Sequence, residues 1–311
     1  MDIIKKLEDL KGRPAVTLAI GSFDGLHLGH RKILEIVRKE AEVLNVKSMI
    51  MTFAPTPREV FSGQKEVALM KPEEKTDAIK AMGIDIVSLK RFDLKFASMQ
   101  PDDFLKRLLT FLDLKVLVAG PDHSIGKKEE GGLEYLKQAA ETYNFKLIIV
   151  PKTQYKNKDI SSQLIRQTLK TGRIDDVIAM MGSEYRISGT VVPGQQRGRT
   201  MGYPTLNIEP DLSNCLIPAF GVYCVRVRLD TKDLEGICNI GIRPTFTESD
   251  LSMEVHVLNT DLNHQYGKHV EIYFKHFVRE EKKFSSKEAL IEQIENDINE
   301  CKILTEEKCQ H

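Results

Sequence analysis

The chain carries no excess of either charge, with 45 Lys+Arg against 45 Asp+Glu. That balance excludes a global electrostatic drive toward nucleic acid or an anionic membrane. Cysteine is scarce: Cys215, Cys224, Cys238, Cys301 and Cys309 are the five, none lies in the first two thirds, and none forms a CxxC pair. An odd number without a secretory apolar segment at the start argues against a disulfide framework. No apolar run reaches the length of a membrane span. Internal repeats and low-complexity segments are absent, and neither the P-loop nor the GxGxxG pattern occurs. These absences predict a reduced, soluble, cytoplasmic protein with no nucleic-acid or membrane partner. Nothing in them specifies an oligomer. What is present, 311 residues with 41% apolar content, is enough for two domains with separate cores.

The most informative segment runs Gly21-Ser22-Phe23-Asp24-Gly25-Leu26-His27-Leu28-Gly29-His30. It follows an apolar run at 16–20 that reads as a buried strand. A helical pattern over 31–44 comes after it, with Ile33, Leu34, Ile36, Val37, Ala41 and Leu44 at helical spacing. A strand-to-helix turn is where an α/β sheet receives phosphates, because backbone N–H groups and the positive helix end face the ligand. The glycines permit close backbone approach. His27 and His30, three apart, can point the same way and donate to phosphate oxygens.

Residues 1–182 alternate in type. Strand candidates at 16–20, 47–53, 85–90, 115–119 and 146–150 are interleaved with helical patterns near 31–44, 73–82, 102–111 and 132–142. Helices follow at about 161–171 and 174–181. Uniformly apolar strands in this alternation predict a parallel sheet covered on both faces. A junction is expected at 182–185. Beyond it, over 185–311, short alternating runs and Gly/Pro turns read as an antiparallel barrel or sandwich. A last helix is expected from Ser285, with Ser285–Glu288 as a capping box and Leu290, Ile291, Ile294 and Ile298 on one face.

Three further segments of the first half carry chemistry. Thr52–Glu59 is a proline-rich exit from the second strand, a rigid loop at the ligand-binding edge. Gly120–Lys127 follows the fourth strand and contains Asp122. Ile160-Ser161-Ser162-Gln163-Leu164-Ile165-Arg166 opens a helix whose serine hydroxyls and free N–H groups can meet an anion, with Arg166 one turn in. In the second half the run Gly189–Asn207 holds a loop with Gly194, Gly198 and Gly202, the cations Arg197 and Arg199, then Pro204-Thr205-Leu206-Asn207. Thr205 and Asn207, two apart on a strand, share a face and offer hard oxygen ligands suited to Mg²⁺.

The first segment resembles the HxGH signature of the nucleotidylyltransferase superfamily. With Phe-Asp-Gly ahead of it, it is similar to the adenylyltransferase half of bacterial bifunctional riboflavin kinase/FAD synthetases. Residues 160–166 resemble that family's ISSTxIR motif. Residues 189–207 resemble its flavokinase signature, and the likeness continues through Asn239–Phe246, Met253–His256, Phe277–Arg279 and the last helix. The resemblance implies an α/β, Rossmann-like nucleotidylyltransferase domain with a parallel sheet over 1–182. It implies a flavokinase antiparallel β-barrel with a C-terminal helix over 185–311. The implied substrates are ATP, riboflavin and FMN, with Mg²⁺.

In that scheme His27 and His30 act catalytically at the phosphates, and Glu254 is the base that takes the riboflavin hydroxyl proton. Nucleotide contacts are implied for Gly21, Phe23, Asp24, Gly25, Gly29, Ser161, Ser162 and Arg166, and for Gly194, Gly198, Arg199 and Gly202. Flavin contacts are implied for Asp122, Asn239 and Arg279, and metal ligation for Thr205 and Asn207. The chain departs from the family's usual residues at Thr56, His123, Ile125, Gln163, Pro193 and Asn259. Four of these six lie in the first half. A single-activity enzyme and a non-catalytic flavin- or nucleotide-binding regulator are the alternatives.

Overall fold

A computed structural model describes residues 2–63, 68–127, 130–194, 201–212, 216–244, 249–258 and 265–307. The chain forms two compact units, Met1–Ser162 and Gln163–His311. The sequence pattern predicts a junction at 182–185 instead. The difference arises because the two helices before that point pack with the second unit.

The first unit is a six-stranded sheet in the order β1-β4-β3-β2-β5-β6, parallel throughout. The strands are β1 (Asp2–Ile4), β2 (Ala15–Ile20), β3 (Lys47–Phe53), β4 (Ile86–Lys90), β5 (Asp113–Ala119) and β6 (Lys146–Ile149). Helices α1 (Leu28–Leu44), α2 (Pro57–Ser62), α3 (Pro72–Ala81), α4 (Leu94–Ala97), α5 (Pro101–Phe111) and α6 (Leu133–Thr142) connect them. A two-stranded ribbon, β7 (Gln154–Tyr155) and β8 (Lys158–Asp159), follows β6. Alternation along the strands divides the core in two. Val16, Leu18, Ile20, Met49 and Met51 pack with Phe104, Leu108 and Leu136. Ala19, Ile50, Val116 and Val118 pack with Leu34, Val37 and Ile79. The sheet is therefore covered on both faces, as its uniformly apolar strands require.

The short elements of this unit, β1, α2, α4 and the ribbon of β7 and β8, are not visible as patterns in the sequence. The three-residue edge strand β1 is too short to show a period. Helix α2 arises from the Pro-rich exit, where Thr56 is its N-cap: the Glu59 N–H donates to Thr56 Oγ1 at 3.3 Å, and the Thr56 N–H donates to Glu59 Oε2 at 2.6 Å. This capping box gives the departure at Thr56 a local structural role.

The second unit opens with α7 (Ser162–Leu169), whose first residue is the boundary, and α8 (Ile174–Met181). A closed antiparallel barrel follows, in the order β10-β13-β12-β11-β14-β9, sealed by pairing of β9 with β10. Its strands are β9 (Tyr185–Val192), β10 (Leu206–Pro210), β11 (Gly221–Leu229), β12 (Lys232–Pro244), β13 (Ser249–Val257) and β14 (His269–Arg279). Closure removes the edges a sandwich would leave. Tyr223, Val225, Cys238, Ile240, Val255, Ile272 and Phe274 are buried. Helix α8 is tied to the barrel by Asp175, whose carboxylate lies 2.8 Å from Nδ1 of the buried His276.

Helix α9 (Lys287–Glu307) ends the described chain. Its cap is Ser286, one residue later than the pattern indicates: the Ala289 N–H donates to Ser286 Oγ at 3.2 Å. Ile298 and Leu304 pack on Val222, Cys224 and Ile237. At that contact Cys224 and Cys301 form a disulfide with Cα atoms 5.5 Å apart. This corrects the expectation of unbridged cysteines. The partners are 77 residues apart, and only the docking of α9 on β11 brings them together. Cys238 is free and buried, while Cys215 and Cys309 lie outside the described residues.

Candidate functional sites

In the first unit the strand order reverses between β2 and β5, and their carboxyl ends open a crevice, the usual ligand position of such sheets. A cavity of about 310 Å³ lies there. Gly21, Phe23 and His27 line it from the loop after β2, Gly29 and His30 from the first turn of α1, Gly120, Asp122 and His123 from the loop after β5, and Lys152 and Thr153 from the segment after β6. The loop after β2 is tightly folded. Phe23, Gly25 and Leu26 all adopt left-handed backbone, with φ of 47°, 78° and 43°. Only Gly25 does so without a steric cost.

His27 is the N-cap of α1, and its Nδ1 accepts the His30 N–H at 3.4 Å. Its ring proton therefore sits on Nε2, leaving that nitrogen as a donor. The His27 and His30 rings stack at 3.6 Å, with the edge of Phe23 against His30. Burial pushes His27 down to about 4. It also holds His30 well below the usual imidazole value, with the nearby charges of His27 and Lys75 adding to the effect. Both rings are therefore neutral donors near pH 7 rather than cations. His30 Nδ1, His123 Nε2 and Thr153 Oγ1 are shielded from solvent and lack a hydrogen-bond partner among the described residues. All three residues border the cavity.

Asp24 is buried and turned into the fold, where its carboxylate accepts the Leu69 N–H at 3.0 Å. Ser162, the last residue of the first unit, donates through Oγ to the Asp24 carbonyl at 3.0 Å. Ser161 is exposed. Arg166 belongs to the second compact unit. Asp122 is exposed on the loop after β5 and pairs with Lys152 at 2.6 Å.

A second cavity, about 690 Å³, shares Ile20, Gly21, Ser22, Asp122 and His123 with the first. Its wall is aromatic: Phe53, Phe61, Phe92, Phe96 and Phe104, with Ile125 beside them. Phe92 and Phe96 meet edge-on at 5.6 Å, and Phe53 meets Phe92 edge-on at 5.3 Å. Nothing in the sequence singles out these phenylalanines, which come from the end of β3, the segment after β4, and the helices α2, α4 and α5.

In the second unit the strand register assembles the polar row. Asn207 on β10 is the direct partner of Glu254 on β13, and Glu254 is in turn the direct partner of Asn239 on β12. Directly opposed residues share a sheet face, so an amide, a carboxylate and an amide stand side by side. Asn207 is buried, and a Cβ on Gly194 would come within 2.0 Å of its amide nitrogen. A side chain at 194 would displace the Asn207 amide.

A cavity of about 380 Å³ is lined by Tyr203, Thr205, Asn239, Glu254, His256 and Arg279, with Leu290, Ile294 and Asp297 from α9. Ser252 Oγ donates to Glu254 Oε1 at 3.2 Å. His256 Nδ1 lies 2.8 Å from the Pro204 carbonyl, which can only accept, so His256 donates and steadies the approach to Thr205. Arg279 is clamped by Asp297 through two bonds of 2.8 Å each. The sequence patterns give no role to His256 or Asp297, and Asp297 hides among the apolar positions of α9. Gly202 lies in left-handed backbone, φ 87°. Arg197, Gly198, Arg199 and Asn259 lie outside the described residues.

A family model described as FAD synthetase matches residues 11–164, and one described as riboflavin kinase matches residues 181–305. The bifunctional riboflavin kinase/FMN adenylyltransferase of Listeria monocytogenes is 36% identical over 284 residues, covering 90% of this chain and 89% of that protein. The Escherichia coli K12 protein of the same name is 34% identical over 302 residues, covering 96% of each. A solved structure described as a macrolide-efflux protein from Streptococcus pneumoniae superposes with a TM-score of 0.86 at 28% identity. It covers 96% of this chain and 97% of its own. Among the described residues no helix is long and apolar enough to cross a membrane.

Proposed function

This chain belongs to the bifunctional riboflavin kinase/FMN adenylyltransferase family, and from that premise we propose a division of labour between its two units. The protein phosphorylates riboflavin to FMN with ATP and adenylylates FMN to FAD with release of pyrophosphate. We assign the first step to the barrel unit and the second to the α/β unit.

For adenylyl transfer, ATP takes the cavity of the histidine pair and the FMN ring takes the aromatic cavity. Their shared wall at Gly21, Ser22, Asp122 and His123 is where the FMN phosphate would meet the α-phosphorus. The observation that carries this reading is the set of unpaired, shielded polar atoms at His30, His123 and Thr153, because a polar ligand is what such atoms need. An FMN phosphate oxygen attacks the α-phosphorus and the bond to pyrophosphate breaks. No covalent enzyme intermediate is required, so alignment and stabilisation of charge do the work. His27 Nε2–H is a preorganised neutral donor for that charge.

For phosphorylation, the terminal ribityl hydroxyl attacks the γ-phosphorus and loses its proton to Glu254. A carboxylate within hydrogen-bond reach suffices, since phosphoryl transfer is mostly positioning and electrostatics. Thr205 and Asn207 would hold Mg²⁺. Their neutral oxygens fit a cation that keeps most of its ligands from nucleotide phosphates and water, and it would neutralise charge on those phosphates. Arg279, fixed by Asp297, and Asn239 face the flavin in this scheme.

Product analysis tests the assignment. Purified protein with riboflavin and MgATP is expected to give FMN and then FAD; with FMN and MgATP it gives FAD and pyrophosphate. FMN as the sole product would mean that the α/β unit is silent.

A further inference from the structure

Lys75 is the only buried lysine among the described residues, with 3% of its surface exposed, and no motif of the sequence points to it. It projects from the first turn of α3. Its Nζ donates to the Ser22 carbonyl at 2.8 Å and to the Phe53 carbonyl at 3.0 Å. Ser22 borders both cavities of the first unit, and Phe53 borders the aromatic one. The Ser22 carbonyl accepts a second bond, from Thr52 Oγ1 at 3.0 Å.

The consequence follows from peptide geometry. In a trans peptide the C=O and the following N–H point in opposite directions. Two donors holding the Ser22 carbonyl therefore fix the direction of the Phe23 N–H on the other side of the same plane. The next residues need that support, since Phe23 and Leu26 hold left-handed backbone without being glycine. Burying an ammonium is costly unless it is compensated. Here two carbonyls and the nearby carboxylates of Asp24 and Glu59 compensate it.

We propose that Lys75 is a positioning residue for adenylyl transfer, pinning the Ser22 peptide so that the loop after β2 is held ready for the nucleotide, with its charge set behind the phosphate site. The proposal rests on the assignment of that cleft to adenylyl transfer. The groups within electrostatic reach of Lys75 are Asp24 on the loop, Glu59 on α2 and His30 on α1. Asp24 and Glu59 favour its charge, and burial opposes it, bringing Lys75 down to about 8. The ammonium is therefore charged at neutral pH and is lost as pH rises through that value. His30 is held neutral, so it does not titrate in the same window.

The test uses the full chain with FMN and MgATP as substrates, and riboflavin phosphorylation as the internal control. Lys75→Met, which keeps the stem and removes the charge and both bonds, is expected to lower kcat/KM for FAD formation by about a hundredfold, the scale of losing one preorganised electrostatic contact. Riboflavin phosphorylation stays unchanged. In the wild type, kcat/KM for FAD formation falls as pH rises through about 8; in Lys75→Met that limb is absent. A merely structural lysine would lower the rate and leave the limb in place, and that result overturns the proposal.

Thr52→Val removes the other donor to the same carbonyl and retains Lys75. It is expected to slow FAD formation several-fold, with the alkaline limb intact. If Lys75→Met fails to fold by circular dichroism, an unaffected Thr52→Val rate or a wild-type profile flat through the window overturns the proposal on its own. A folded Lys75→Met with wild-type FAD synthesis overturns the role of Lys75 and leaves the cleft assignment standing. A wild type that makes no FAD overturns the cleft assignment and the proposal with it.

Discussion

In the first unit one contiguous segment, Gly21–His30, supplies the histidine pair of the cleft, and the ends of β5 and β6 with the segments after them supply much of the rest, all at the same edge of a parallel sheet. In the second unit Thr205, Asn207, Asn239 and Glu254 come from or adjoin three separate strands, and barrel register makes Asn207, Glu254 and Asn239 neighbours. The chemistry of the two places differs in the same way. The first cleft is surrounded by buried ionisable groups, with His27 and His123 each pushed down to about 4 by burial and Lys75 to about 8. The second presents a hydroxyl, two amides and a carboxylate, a set that suits a metal-bound nucleotide. A strand-to-helix turn can gather a phosphate site within ten residues because backbone N–H groups do much of the binding. A barrel wall has its backbone committed to the ladder, so its site must be made of side chains.

If that contrast is real, each site fails alone. The largest effect is expected at His30. His30→Ala should slow FAD synthesis from supplied FMN by about a hundred- to a thousandfold, the loss typical of one preorganised donor. FMN synthesis from riboflavin should be unaffected. Equal FAD synthesis in variant and wild type would make the histidine an ordinary turn residue.

Glu254→Gln comes next. It keeps size and most hydrogen bonding, including acceptance from Ser252, and removes the base. Kinase turnover should fall by about a hundredfold or more, with FAD formation from FMN intact. Near-normal kinase turnover would show that Glu254 has another role in the row.

Asn207→Ala is expected to have the smallest effect. Loss of one neutral oxygen ligand should raise the Mg²⁺ concentration needed for half-maximal kinase activity and weaken nucleotide binding. A titration against Mg²⁺ checks this, and an unchanged curve would assign Asn207 to packing under Gly194 instead.

Much of this is legible in the sequence wherever the information is local. The parallel strands β2 to β6 follow from runs such as 16–20 and 47–53, and the HxGH segment discloses its turn and its helix together. Register is not local. The pairing of Asn207 with Glu254 and of Glu254 with Asn239 depends on how a barrel closes, and no spacing encodes that closure. The disulfide between Cys224 and Cys301 is hidden for the same reason. The aromatic wall of Phe53, Phe61, Phe92, Phe96 and Phe104 reads in sequence as scattered core residues. Lys75 looks like a surface charge among Glu73, Glu74 and Asp77, because only the loop folded over it makes it buried.

Complementation between full-length variants tests whether the two sites of one chain work without each other. His30→Ala and Glu254→Gln are each supplied with riboflavin and MgATP, alone and as an equimolar mixture, and FAD is measured. FMN without FAD is expected from His30→Ala, at most traces of either product from Glu254→Gln, and FAD from the mixture, since FMN released by one variant is consumed by the other. A mixture that accumulates FMN and makes no FAD, although Glu254→Gln converts supplied FMN, would show that the intermediate does not pass freely between molecules. Loss of both activities in either single variant would contradict the separation itself.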